Sequence, residues 1–205
     1  MEQFDNIDEY IADLKAKLAK NPSCGNTHYN LGVAYLSRRD FMEAEREFLE
    51  AVANSPKMAE GYVQLGGIAL QRGDLESCLN YNIRASQERP FFAVPWGNIG
   101  FVKLQQGDVD QAHKALKKAL KLDHDFLQAK ATMTSVFIAM GDYEEADKML
   151  KQVLDQVPEF APAWNNKAIV DAHFEEWEDA KKCIAKAEEF GFDVDPEFKK
   201  EVESK

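Results

Sequence analysis

Basic residues, cysteines and long apolar runs are all scarce in this 205-residue chain. Lysine and arginine number 25 against 36 aspartates and glutamates, a formal net charge of −11, and that sign opposes general attachment to phosphate backbones or anionic lipid surfaces. Nucleic acid is therefore not an expected partner. No apolar run approaches the roughly 20 residues with which an apolar helix crosses a bilayer, so no membrane insertion of that kind is expected. The first ten residues carry four acids and no base, whereas a secretory signal opens on basic residues ahead of an apolar stretch. The expectation is a cytoplasmic protein. Cys24, Cys78 and Cys183 are odd in number and far apart, which draws neither a disulfide framework nor a paired-cysteine metal site. Reduced thiols are the simplest reading.

Catalytic constellations are missing as well. His28, His113, His124 and His173 are scattered along the chain, and no phosphate-binding loop, dinucleotide-binding glycine motif, HExxH or Ser-His-Asp arrangement can be drawn. Neither an enzymatic activity nor a cofactor or metal is expected.

What the chain has is repetition. Gly32, Gly66 and Gly100 stand 34 residues apart, and so do the pairs Gly73-Asp74, Gly107-Asp108 and Gly141-Asp142. Ala44, Cys78, Ala112, Ala146 and Ala180 keep the same interval, as do Ala51, Ala85 and Ala119, while Pro56, Pro90 and Pro158 close three of the units. A fixed period of this length marks a stacked repeat architecture. Within a unit, Leu31, Ala34 and Tyr35 fall on one helical face, and Ala44, Phe48, Ala51 and Val52 fall on another. Gly-Asp between the two halves supplies a residue tolerant of positive φ and then a helix-capping side chain, so each unit reads as a helical hairpin.

The pattern resembles the tetratricopeptide repeat, whose signature runs Trp-x2-Leu-Gly-x2-Tyr, then Ala-x3-Phe, then Pro. Leu31, Gly32, Tyr35, Ala44, Phe48, Ala51 and Pro56 match it in the first unit. Trp96, Ile99, Gly100, Ala112 and Ala119 do so in the third, and Trp164 and Ala168 in the fifth. Repeat four places Lys130 in the Trp column; repeat five places Lys167 in the Leu column and Glu175-Glu176 at the turn. The resemblance implies an all-α, right-handed superhelix of five hairpins at 25–58, 59–92, 93–126, 127–160 and 161–192. An amphipathic capping helix is expected in 1–24, carried by Phe4, Ile7, Ile11, Leu14 and Leu18. A second cap is expected in 193–205, opened by Asp195-Pro196.

The same resemblance implies protein–protein interaction, as an adaptor, scaffold or assembly factor. In this family the first helices line a concave groove, and the amide before Leu-Gly points into it. That column here reads Asn30, Gln64, Asn98, Thr132 and Asn166; an amide can serve both the N–H and the C=O of an extended peptide. Beside it lie Tyr29, Val33 and Leu36, then Val63, Gly67 and Leu70, then Gly97, Phe101 and Leu104, then Ala131, Ser135 and Ile138. These columns carry no charge, which disfavours the lysine-lined clamp used by co-chaperones and fits an extended apolar segment or an amphipathic helix of a partner protein. Gly67 and Gly97 are expected to leave a recess floored by Phe101. The alternative is a structural protein that self-associates through groove-to-cap or convex-face contacts.

Overall fold

The computed structural model describes residues 6–205, which form twelve α-helices and no strand. Phe4 lies outside the described residues; the rest of the expected N-terminal helix is α1 (Ile7–Lys20). Ten helices follow in hairpin order: α2 (Gly25–Ser37), α3 (Phe41–Asn54), α4 (Ala59–Gln71), α5 (Leu75–Glu88), α6 (Ala93–Gln105), α7 (Val109–Leu122), α8 (Leu127–Met140), α9 (Tyr143–Gln156), α10 (Ala161–His173) and α11 (Trp177–Glu189). The last is α12 (Pro196–Glu203), whose N-terminus is capped by the Asp195 carboxylate accepting from Glu197 and Phe198 N–H at 2.9 Å. The chain divides into two compact units after Val102, inside α6.

One backbone device closes every hairpin turn. The N–H groups of Asp40, Asp74, Asp108, Asp142 and Glu176 donate to the carbonyls of Tyr35, Ala69, Lys103, Phe137 and Asp171 at 2.8–2.9 Å. Such a bond requires a left-handed residue just before its donor. Gly73, Gly107 and Gly141 provide it at φ 77°, 77° and 80°, but Arg39 and Glu175 adopt φ 63° and 60° with side chains attached. A left-handed L-residue costs about 1–2 kcal/mol, partly offset by the freedom that glycine loses on folding. Arg39→Gly and Glu175→Gly should therefore each stabilise the protein by about 0.5–1 kcal/mol, read as a higher midpoint in thermal or urea unfolding. A lower midpoint for both would show that the side chains contribute more than the strain removes.

In the first unit the core runs from α1 through α4. Phe48 is fully buried, and Gly32 is the reason it fits: a Cβ there would lie 2.7 Å from the Phe48 ring. Helix α1 buries Ile11 and Leu14 against the cluster of Leu31, Tyr35 and Ile68, whereas Ile7 stays exposed. Arg38 binds Asp8 at 2.6 Å and ties α1 to the first turn. In the second unit Leu150 and Val153 pack with Ala163 and Val170, and Cys183, Ile184 and Ala187 pack with Val194 and Val202 at the C-terminal cap.

Several columns that are apolar in the other repeats hold a polar residue here, each with a partner. His28, in the column of Tyr62 and the tryptophans, binds Glu47 through Nδ1 at 2.7 Å and the Pro22 carbonyl through Nε2 at 2.8 Å. Burial alone would lower its pKa, but the Glu47 carboxylate and the Pro22 carbonyl outweigh it and raise the pKa above the usual histidine value. Buried Lys130 faces Asp125 at 3.6 Å. Lys167 pairs with buried Asp171 and, at 3.2 Å, with Asp147, and the Cys183 thiol donates to Asp171 at 3.3 Å.

Candidate functional site

The amide column on the first helices does not act as one ladder. In the first unit Asn30 is exposed and Gln64 half-buried, and neither side chain hydrogen-bonds among the described residues. Asn98 behaves differently: its Nδ2 donates at 2.8 Å to Oδ1 of Asn82, whose own Nδ2 donates at 2.8 Å to the Cys78 carbonyl. Asn82 is fully buried in the column that holds Phe48, Leu116, Leu150 and Ile184 elsewhere. Its amide needs partners in the interior, and Asn98 is one of them. In the second unit Asn166 donates to the hydroxyls of Thr134 at 2.8 Å and Ser135 at 3.0 Å, and Thr132 bonds back to the Gln128 carbonyl at 2.8 Å. Two amides make no hydrogen bond among the described residues, and three polar side chains serve the scaffold.

The flanking columns divide similarly. Val33 and Leu70 are exposed, each at 37%, Gly67 is exposed, and Tyr29, Leu36 and Val63 are half-buried. The Tyr29 ring tilts onto Phe48 at 5.6 Å, so its lower edge belongs to the core. A Cβ on Gly67 would meet nothing within 4 Å, whereas one on Gly66 would lie 2.5 Å from the Asn82 amide nitrogen. Gly66 is thus a packing glycine and Gly67 an open one. Gly97 is buried, as is Ala131 in the same column, whereas Gly67 is exposed. Phe101 is half-buried against Ala69, Cys78 and Val102. Leu104, Ser135 and Ile138 are half-buried in the second unit, Ile138 against the Leu150 cluster.

The hidden partner of Asn98 had a visible signal: Asn82 is the one polar residue among the five positions of its column, spaced 34 residues apart. Among the described residues no group of three histidine, cysteine or acidic side chains could hold a metal ion, and no helix is long and apolar enough to cross a membrane.

Two family models, both described as tetratricopeptide repeat, match the chain, one over residues 11–59 and 29–77 and the other over 103–168 and 137–200. The chain belongs to the tetratricopeptide repeat family. No curated protein sequence matches it significantly, but many solved structures share its fold. The Pseudomonas aeruginosa pilF protein superposes with a TM-score of 0.81 at 19% identity, over 97% of this chain and 90% of that one. YrrB, described as a tetratricopeptide repeat protein with an unusual peptide-binding site, gives 0.71 at 17% identity, over 94% and 98% of the two chains. TTC0263 of Thermus thermophilus gives 0.61 at 24% identity, over 80% and 90%. At these identities the likeness is one of fold: an all-α solenoid of tetratricopeptide hairpins. Tetratricopeptide repeat proteins bind other proteins and are generally non-enzymatic, and this fold points to an interaction module.

Proposed function

We propose that this protein is a cytoplasmic adaptor or assembly factor that binds an apolar segment of a partner protein along the first helices of repeats one and two. The observation that carries the reading is the split in the amide column. Asn30 and Gln64 are unengaged beside Val33, Leu36, Val63 and Leu70, and the gap at Gly67 leaves room for a bulky side chain between them. Open amides suit the unpaired backbone of an extended peptide, and the apolar columns suit its alternate side chains.

Selection of peptides from a random display library on the full chain supplies the probe. Asn30→Ala with Gln64→Ala removes two hydrogen bonds worth about 0.5–1.5 kcal/mol each, so the selected peptides should bind about 5- to 160-fold more weakly while circular dichroism is unchanged. Asn98→Ala should instead lower stability and leave the affinity of the folded protein alone. Equal affinity after the double substitution would remove Asn30 and Gln64 from the site.

Self-association is the second reading, favoured by Met42 (84% exposed) and Leu49 (44%), which share a face of α3, and by Ile83 (37%), in the column of Leu49 on α5. Light scattering across a concentration series separates the two readings. A constant monomer mass excludes the second.

A further inference from the structure

A depression of about 630 Å³ adjoins the candidate groove where α2 and α4 begin. Tyr29 belongs to both, and Asn26, Ser55, Lys57 and Met58 complete most of the wall. Its polar groups can all donate, apart from one acid. The side chains of Asn26, Tyr29, Ser55 and Lys57 make no hydrogen bond or ion pair among the described residues, and each carries a donor: an amide, a phenol, a hydroxyl and an ammonium. The acid in the lining, Glu60, is already neutralised by Arg89 at 2.5 Å, and Arg89 is held over the Phe92 ring at 5.2 Å. The Lys57 charge is left uncompensated in a chain whose net charge is −11.

We propose that this depression receives the carboxylate of an aspartate or glutamate side chain from the same partner segment whose apolar residues lie on the groove. The inference rests on the groove reading and gives the partner a chemistry: apolar anchors followed closely by an acid. Three neutral donors beside one uncompensated cation complement a carboxylate, which only accepts hydrogen bonds, while Met58 and the Tyr29 ring match its methylene stem. The spacing follows from the helix. Tyr29 and Val33 are one turn apart, about 6 Å, which an extended chain covers in about two residues, so the acid lies within about two residues of the first apolar anchor. A lysine or arginine at that place in the partner would face Lys57 and is excluded by repulsion.

Two measurements on the full chain test this separately from the groove. The first titrates N-acetylglutamate N-methylamide, and its glutamine counterpart, into labelled protein observed by NMR. The acid should shift the signals of Asn26, Lys57 and Met58 in a saturable way, at least tenfold more tightly than the amide, and Lys57→Glu should abolish the difference. Equal response to both probes, or no saturable response to either, overturns the inference whatever the groove does. The second repeats the display selection with C-terminally blocked peptides on the parent and on Lys57→Glu. An acid at a fixed distance from apolar anchors, lost or replaced by a base on Lys57→Glu, supports the inference. Apolar peptides with no acid preference overturn it and leave the groove reading standing. A saturable acid titration without any apolar enrichment supports the anion subsite and removes the groove. Binding restricted to peptides with a free C-terminus overturns the assignment to a side chain.

Discussion

Lys167→Leu should lower the stability of the second unit by about 3 kcal/mol, although it restores the residue type that Leu31, Leu65, Ile99 and Met133 hold in the other repeats. The loss comes from what is left behind. Asp171 is 1% exposed, and removing the lysine strands its carboxylate in the interior with the Cys183 thiol and without its cation. Breaking a buried pair by deleting one partner costs about 3–5 kcal/mol, and the low end applies because the Lys167 side chain retains 19% exposure. Removing both charges is a different matter. Lys167→Leu with Asp171→Ala should recover most of the loss, since replacing a buried pair by apolar groups is often neutral or better. Thermal unfolding of the parent, the single and the double variant gives the comparison; a single variant as stable as the parent would show that the ion cluster contributes nothing.

Adjacent glycines should respond to the same substitution with opposite signs. At Gly66 a methyl group would lie 2.5 Å from the amide nitrogen of Asn82, which cannot withdraw without giving up the Cys78 carbonyl or the Asn98 amide. Overpacking of this kind costs about 1–3 kcal/mol. At Gly67 the new methyl meets open space, and alanine gains about 1 kcal/mol over glycine within a helix. Because the helix gain applies at both positions, the two single variants, Gly66→Ala and Gly67→Ala, should differ by the overpacking alone, about 1–3 kcal/mol. Denaturant unfolding of both settles it, and a stabilised Gly66→Ala would mean that Asn82 has another place to go. Gly67→Leu extends the test to function, because it fills the gap proposed for the partner without disturbing the core.

The hairpins were legible because their determinants are local. A left-handed residue in the turn, a small residue where helices touch and an apolar stripe at helical spacing all lie within one 34-residue unit, and each can be read in place. The turn at Glu175 lacked its glycine but formed anyway, since the backbone bond from Glu176 to Asp171 is the same as in the other four. The site was harder to read for the opposite reason. Asn98 meets Asn82 from 16 residues away and Asn166 meets Thr134 from 32, so column position alone treated open and occupied amides as equals. Gly97 likewise shares a column with half-buried Tyr29 and Val63 but is itself buried. A column gives direction from the helix; what stands in that direction is decided by the neighbouring repeat.

The three thiols make the protein its own probe of local opening. Cys24 is half-buried at the start of α2, and the Thr27 hydroxyl lowers its pKa, so it is the thiol most readily alkylated in the native state. Cys78 and Cys183 are buried, burial raises both, and Cys183 is pushed up to about 12 with the Asp171 carboxylate adding to the effect. Each of these two reacts when the structure around it opens, and they sit on opposite sides of the division after Val102. Mass-resolved alkylation over time thus reports three rates from the unaltered chain: one for the reagent itself, and one for the breathing of each unit.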